Sequence, residues 1–233
     1  MVPFKLWSPE HIAVLVLTFL VPLTLGWWAR RDRQGRRARI VAVVFVLVLL
    51  VQLVLNLVLV GLETTERWVE IMPLHLCHLA LFACVDACIT RRQFSYDLAY
   101  FWGLGGTVQG LITPGLAMGF PSVEFVLFFL GHSGIVACVI YLTIAFRMRP
   151  RWLSVVRASV AILGYALVAG AFNVAFDTNY GFLCAKPETS TLFDLLGDWP
   201  WYLASATGLC LIVFTVLYLP WAIKDRRSTR RSA

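Results

Sequence analysis

The sequence predicts an all-α fold, a polytopic membrane helix bundle of seven transmembrane helices with the N-terminus outside and the C-terminus cytoplasmic. Composition predicts the class: 60% of the 233 residues are apolar and 14% are charged, against roughly 45–50% and about 25% in soluble domains. Run length predicts the count, because seven stretches approach the about 20 apolar residues needed to cross hydrocarbon. Arginine placement predicts the orientation.

The spans are expected at 10–29, 40–62, 72–90, 95–113, 122–146, 154–176 and 200–223. The first follows Lys5, carries Pro22 and has no small-residue cleavage site before the arginine cluster. It is therefore expected to be retained rather than removed as a signal peptide. The fourth is the weakest, diluted by Tyr96-Asp97 and by Gly103, Gly105, Gly106 and Gly110. Such glycines suit close helix packing in lipid. A re-entrant fourth segment, leaving six spans, is the alternative.

Charge favours seven. Arg30, Arg31, Arg33, Arg36, Arg37 and Arg39 lie in the first loop, Arg91 and Arg92 in the third, and Arg147, Arg149, Arg151 and Arg157 in the fifth. Lys224, Arg226, Arg227, Arg230 and Arg231 follow the last span, so one side holds 17 of the 20 basic residues. Lys5, Arg67 and Lys186 fall on the other. The positive-inside rule makes the rich side cytoplasmic, and six spans would break the alternation. Asp86 and Asp97 lie near that side and are expected to pair with Arg91 and Arg92.

The same composition excludes collagen-like, disordered and disulfide-scaffold classes. A net charge of +7 would suit nucleic acid, but here the cations flank spans, and no nucleic-acid partner is expected. One domain covers 1–233, in the cell membrane, and no feature sets an oligomeric state. The six cysteines form no CxxC pair, and five sit in apolar runs where cysteine acts as a small hydrophobe.

Polar groups inside spans are costly, so they face protein or water. Here they collect toward the outer side. Gln52, Asn56 and Glu63 fall within about 40° of one another on a helix at about 100° per residue. The first two also suit interhelical hydrogen bonds. Pro73-Leu74-His75-Leu76-Cys77-His78 opens the third span, and Gln109 and Thr113 close the fourth. Glu124 leads down to Gly131-His132 in the fifth. Asn173 and Asp177 end the sixth, and Asn179, Tyr180, Cys184 and Lys186 follow. His132 lies roughly 15 Å deep and Cys77 roughly 8 Å, at 1.5 Å per residue. A water-accessible pocket at the outer leaflet is expected.

Cys77 is the group there most able to do covalent chemistry, since a thiolate is a strong nucleophile and an imidazole can generate it. On a regular helix Cys77 points about 160° from His75 and about 100° from His78. The base is therefore expected from another span, and His132 has a compatible depth. Cys184 would be a disulfide partner for Cys77 in an oxidising space. His75 and His78 form a His-x-x-His pair, but no third ligand follows from spacing. No metal or cofactor is expected.

The Pro73–His78 segment, the Gly131-His132 pair and the Asn179-Tyr180 loop resemble the YwaF-like family of bacterial integral membrane proteins, related to the eukaryotic transmembrane protein 164. The resemblance covers spans two to seven. It implies an acyltransferase that remodels phospholipids, with phospholipids and lysophospholipids as partners. Cys77, followed by His78, would carry the acyl group as a thioester, and His132 would be the candidate base. Asn179, Tyr180 or Gln109 would stabilise the oxyanion. Other readings remain open at this level: a lipase using the same site, a non-enzymatic lipid or solute binder or transporter, and a metal or haem protein.

Overall fold

The computed structural model describes residues 2–63, 68–187 and 192–232, without the side chains at 60, 62, 63, 192, 193 and 228–232. Its helices are α1 (Pro9–Arg30), α2 (Arg36–Glu63), α3 (Trp68–Ile71), α4 (Leu76–Thr90), α5 (Gln93–Trp102), α6 (Val108–Ile112), α7 (Val123–Ala145), α8 (Trp152–Phe176) and α9 (Trp201–Ser232). A π-helical segment, Gly103–Thr107, joins α5 to α6. Among the described residues the sole β feature is a bridge between Pro3 and Met118. The all-α class holds. Five helices, α1, α2, α7, α8 and α9, are long and apolar enough to cross a membrane.

The expected third and fourth spans are built differently from regular long helices. Pro73 disfavours helix at the residue before it and supplies no N–H. Accordingly α3 stops at Ile71, and α4 starts afresh at Leu76 with His75 as an extended N-cap (φ −64°, ψ 148°). The fourth is α5, the π segment and α6 in unbroken succession, 20 residues in all. At 1.5 Å per residue these rise about 30 Å, enough for hydrocarbon.

The glycines that weaken the fourth stretch in sequence are where it packs most closely. A Cβ on Gly103 would sit 3.0 Å from Ile135 Cγ2 of α7, and one on Gly105 would sit 3.1 Å from Phe214 Cε1 of α9. A π segment frequently marks such a local adjustment in a helix.

At the centre stands α7, with 61% of its apolar window buried against 22% for α1 and α2 and less for α8 and α9. It starts at Ser122, whose hydroxyl accepts the Phe125 N–H at 3.1 Å, a standard N-cap. Packed against it are α1, α2, α4 and the π segment. Gly26 of α1 lets the chain approach until a Cβ there would lie 2.9 Å from Ile144 Cβ. By contrast, α8 presents Leu167, Val168 and Val174 outward, each over 70% exposed, which is lipid-facing surface in a membrane protein.

At the arginine-rich end the expected pairing is re-sorted. The fully buried Asp97 is held by Arg157 at 3.2 Å and by the Gln93 amide at 2.6 Å. Asp86 accepts the hydroxyls of Ser95 and Thr90. Neither acid pairs with Arg91 or Arg92, because Asp97 faces α8 and Asp86 faces the start of α5. Arg91 instead ends α4 in a left-handed conformation (φ 58°) and lies 3.8 Å over the Phe146 ring.

Gly26→Val should lower the thermal midpoint in detergent by several degrees, since Ile144 Cβ has no freedom to retreat and overpacking costs about 1–3 kcal/mol. Gly164→Ala, with nothing within 4 Å of the new Cβ, should leave the midpoint unchanged or raise it, because alanine favours helix by about 1 kcal/mol over glycine.

Candidate functional site

A cavity of about 340 Å³ lies between α2, α4, α7 and the α6–α7 loop. Its polar lining comes from Gln52 and Asn56 of α2, Cys77 and His78 of α4, and Glu124 and His132 of α7. Leu81, Leu127, Phe128 and Ile135 supply apolar walls. The cavity thus gathers a thiol, two imidazoles, two amides and a carboxylate from three helices that are far apart in sequence.

Cys77 sits in the first turn of α4, where backbone N–H groups lack helical acceptors. The His78 N–H donates to the His75 carbonyl at 2.9 Å, so Cys77 itself stands at the open end of the helix. The positive end of the α4 dipole therefore falls on this corner of the cavity and favours negative charge there. Because α4 begins only at Leu76, the angular argument based on a regular helix from 72 does not apply to His75. Cys77 and His78 both reach the cavity, whereas His75 stays outside it. Its ring packs 4.9 Å from Tyr180 and 6.0 Å from the His78 ring.

His132 is held in one orientation. Its Nδ1 lies 2.9 Å from the Phe128 carbonyl and its ring stacks on Phe128 at 4.0 Å. A carbonyl only accepts, so Nδ1 carries the proton and Nε2 keeps its lone pair. Gly110 of α6 covers the ring closely, for a Cβ there would sit 3.1 Å from His132 Cδ2. The neighbouring Gly131 admits the Gln52 side chain, whose amide donates to Leu127 O at 3.0 Å. His78 presents a different case: its Nδ1 is buried without a hydrogen-bond partner among the described residues.

Other expected site residues have structural partners instead. Gln109 donates to Thr113 at 3.3 Å. Asn173 accepts the Tyr180 N–H at 2.8 Å and donates to its carbonyl at 3.0 Å. Asp177 caps α8 with φ 54°. Asn179 accepts from the N–H groups of Cys184 and Ala185. Tyr180 donates to Val69 O at 2.7 Å, and Tyr165 donates to Leu74 O at 3.0 Å. Tyr180 and Tyr165 thereby brace the segment that leads into α4. None of them lines the cavity, while Asn56 does. Glu63 lies outside the described side chains.

Cys77 and Cys184 are both free thiols, so the conditional disulfide is not formed. Among the described residues no group of three or more His, Cys, Asp or Glu side chains is placed to hold a metal ion. Gln52, read as interhelical glue, does that and also lines the cavity. Its polar stripe with Asn56 was the signal. Tyr165 carried no signal in sequence, since a tyrosine in an apolar run reads as core.

A model of the TMEM164 family matches residues 6–218. The chain belongs to the TMEM164 family. An uncharacterized protein of Treponema pallidum (strain Nichols) is 31% identical over 171 residues, covering 72% of this chain and 69% of the relative. No solved structure matches the chain. The expected relation to transmembrane protein 164 is thereby met, and this TMEM164-family member is a multi-pass helical membrane protein.

A small membrane-permeant maleimide should label the exposed Cys184 fastest and the half-buried Cys77 and Cys210 next, while leaving the buried Cys84, Cys88 and Cys138 unmodified. Peptide mass spectrometry reads the order. Labelling of Cys138 ahead of Cys77 would contradict the packing of α4 on α7.

Proposed function

We propose that this protein is an intramembrane phospholipid acyltransferase working through a Cys77 thioester. The observation that carries the reading is one cavity lined by a thiol and by an imidazole whose Nε2 is left free to accept a proton. The apolar walls suit an acyl chain, and the α4 N-terminus suits the oxyanion of an acyl-transfer intermediate. The family resemblance supplies the substrate class.

In the first half-reaction, His132 Nε2 takes the Cys77 thiol proton and the sulfur attacks the ester carbonyl carbon of a donor phospholipid. The C–S bond forms, and the C–O bond to glycerol breaks. The imidazolium returns its proton to the departing lysophospholipid oxygen. In the second, a different lysophospholipid hydroxyl gives its proton to the imidazole and attacks the thioester. A new C–O bond forms as C–S breaks, and the sulfur regains its proton. Water as acceptor would make the same site a lipase. The Cys77 N–H at the open end of α4 replaces Asn179, Tyr180 and Gln109 as the oxyanion donor in this scheme, because those three side chains are engaged outside the cavity.

Intact-protein mass spectrometry after incubation with phospholipid tests the reading. Wild type should gain the mass of one fatty acyl chain, removable by hydroxylamine, and Cys77→Ala should gain none. Loss of a general base typically slows a step by roughly 10²–10⁴-fold, so His132→Gln should slow adduct formation within that range. His75→Gln should have a much smaller effect. An adduct that persists in Cys77→Ala would end the proposal.

A further inference from the structure

A second cavity, of about 380 Å³, opens at the other end of α4, lined by Arg91, Gln93, Arg147, Arg149 and Arg151 together with the Phe146–Met148 backbone turn. Fourteen residues of α4 separate Arg91 from Cys77, a rise of about 20 Å, so this space is distinct from the thiol cavity. We propose that it binds the phosphate of an anionic phospholipid in the leaflet at the arginine-rich face.

Three observations carry the assignment. The first is convergence: two separate connections, α4–α5 and α7–α8, turn their arginines into one concavity. Arg91 and Arg147 do so from left-handed backbone conformations (φ 58° and 55°), which L-residues adopt at a cost. A guanidinium fork is the side chain best suited to phosphate oxygens.

The second is missing compensation. The nearby acids are committed elsewhere, Asp97 to Arg157 and Gln93, and Asp86 to Ser95 and Thr90. Among the described residues only Asp225 reaches the group, and it pairs with Arg149. Arg91 is held in place by the Ala87 carbonyl at 3.1 Å and by the Phe146 ring, neither of which neutralises it. The cluster therefore retains net positive charge, with Arg91 fixed at its base and Arg147, Arg149 and Arg151 exposed at its opening.

The third is location. Ile89, Phe94 and Trp152, the neighbours in sequence of the lining residues, are 67%, 51% and 63% exposed. Exposed apolar and tryptophan side chains beside a cationic hollow match the headgroup level of a bilayer. They favour a lipid with attached chains over a soluble phosphate compound.

Native mass spectrometry of the full chain in neutral detergent, with equal phosphatidylglycerol and phosphatidylcholine, tests this. Wild type should retain phosphatidylglycerol preferentially. Arg147→Gln/Arg151→Gln should reduce that retention at least about tenfold, and Arg31→Gln/Arg33→Gln, an equal charge loss on the first loop, by less than about twofold. Unchanged phosphatidylcholine retention serves as the folding control. Should the glutamine pair not fold, Arg147→Lys/Arg151→Lys, which keeps charge and loses the fork, is read by the same contrast with the first loop. Excess glycerol phosphate should not displace the lipid. Equal losses from the two double variants, no lipid preference in wild type, or full displacement by glycerol phosphate would each overturn the proposal.

Discussion

Close approach between helices at glycine is the constraint on which this structure depends. In lipid, helices gain little from burying apolar surface, because the tails outside are as apolar as the core. Association rests on van der Waals contact and on interhelical hydrogen bonds. Helix α7 exploits this on several sides. Its Gly131 admits the Gln52 amide and its Gly134 admits Leu49, while Gly26 and Gly103 receive its Ile144 and Ile135. Each contact would fall below 3.1 Å with a Cβ in place. The centre of the bundle is thus set by where side chains are missing.

The same rule opens the thiol cavity. Once Gln52 crosses to α7 through the gap at Gly131, its donor is satisfied by Leu127 O, and α2 is pinned beside α4 and α7. The polar stripe of α2 then faces the first turn of α4. That turn exists because Pro73 interrupts the chain and α4 restarts at Leu76. A continuous helix from residue 72 would have consumed the Cys77 N–H in its own ladder. The helix break is therefore what puts the open end of α4 at Cys77.

Much of this was legible in the sequence. The class followed from composition, and the gathering of Cys77, His78 and His132 around one cavity followed from depth and from the cost of polar groups in lipid. What failed was detail that depends on three-dimensional pairing. The residues from Asn173 to Tyr180 are polar, outward and near the right depth, so by sequence they resemble site residues. In the fold their hydrogen bonds close on each other and on Val69, because the α8–α9 connection must satisfy its own backbone. Asp97 was assigned to the nearest arginine in sequence, whereas the chain folds Arg157 onto it from 60 residues away. Sequence distance carries no information about such partners.

The four histidines make the point in energetic terms. Each lies in an apolar stretch, and an imidazole without partners there is expensive. His11 answers by accepting the Trp7 N–H at Nδ1 and lying 2.8 Å from Leu111 O at Nε2. Both nitrogens are used, Nε2 as the donor, and no base remains. His75 occupies the N-cap position of α4 without a side-chain hydrogen bond to the helix and packs on aromatic rings outside the cavity. His132 satisfies one nitrogen with Phe128 O and keeps the other for the cavity, and His78 keeps an unpartnered Nδ1 there. Only His11 has both nitrogens engaged, and two of the other three imidazoles share the cavity with Cys77.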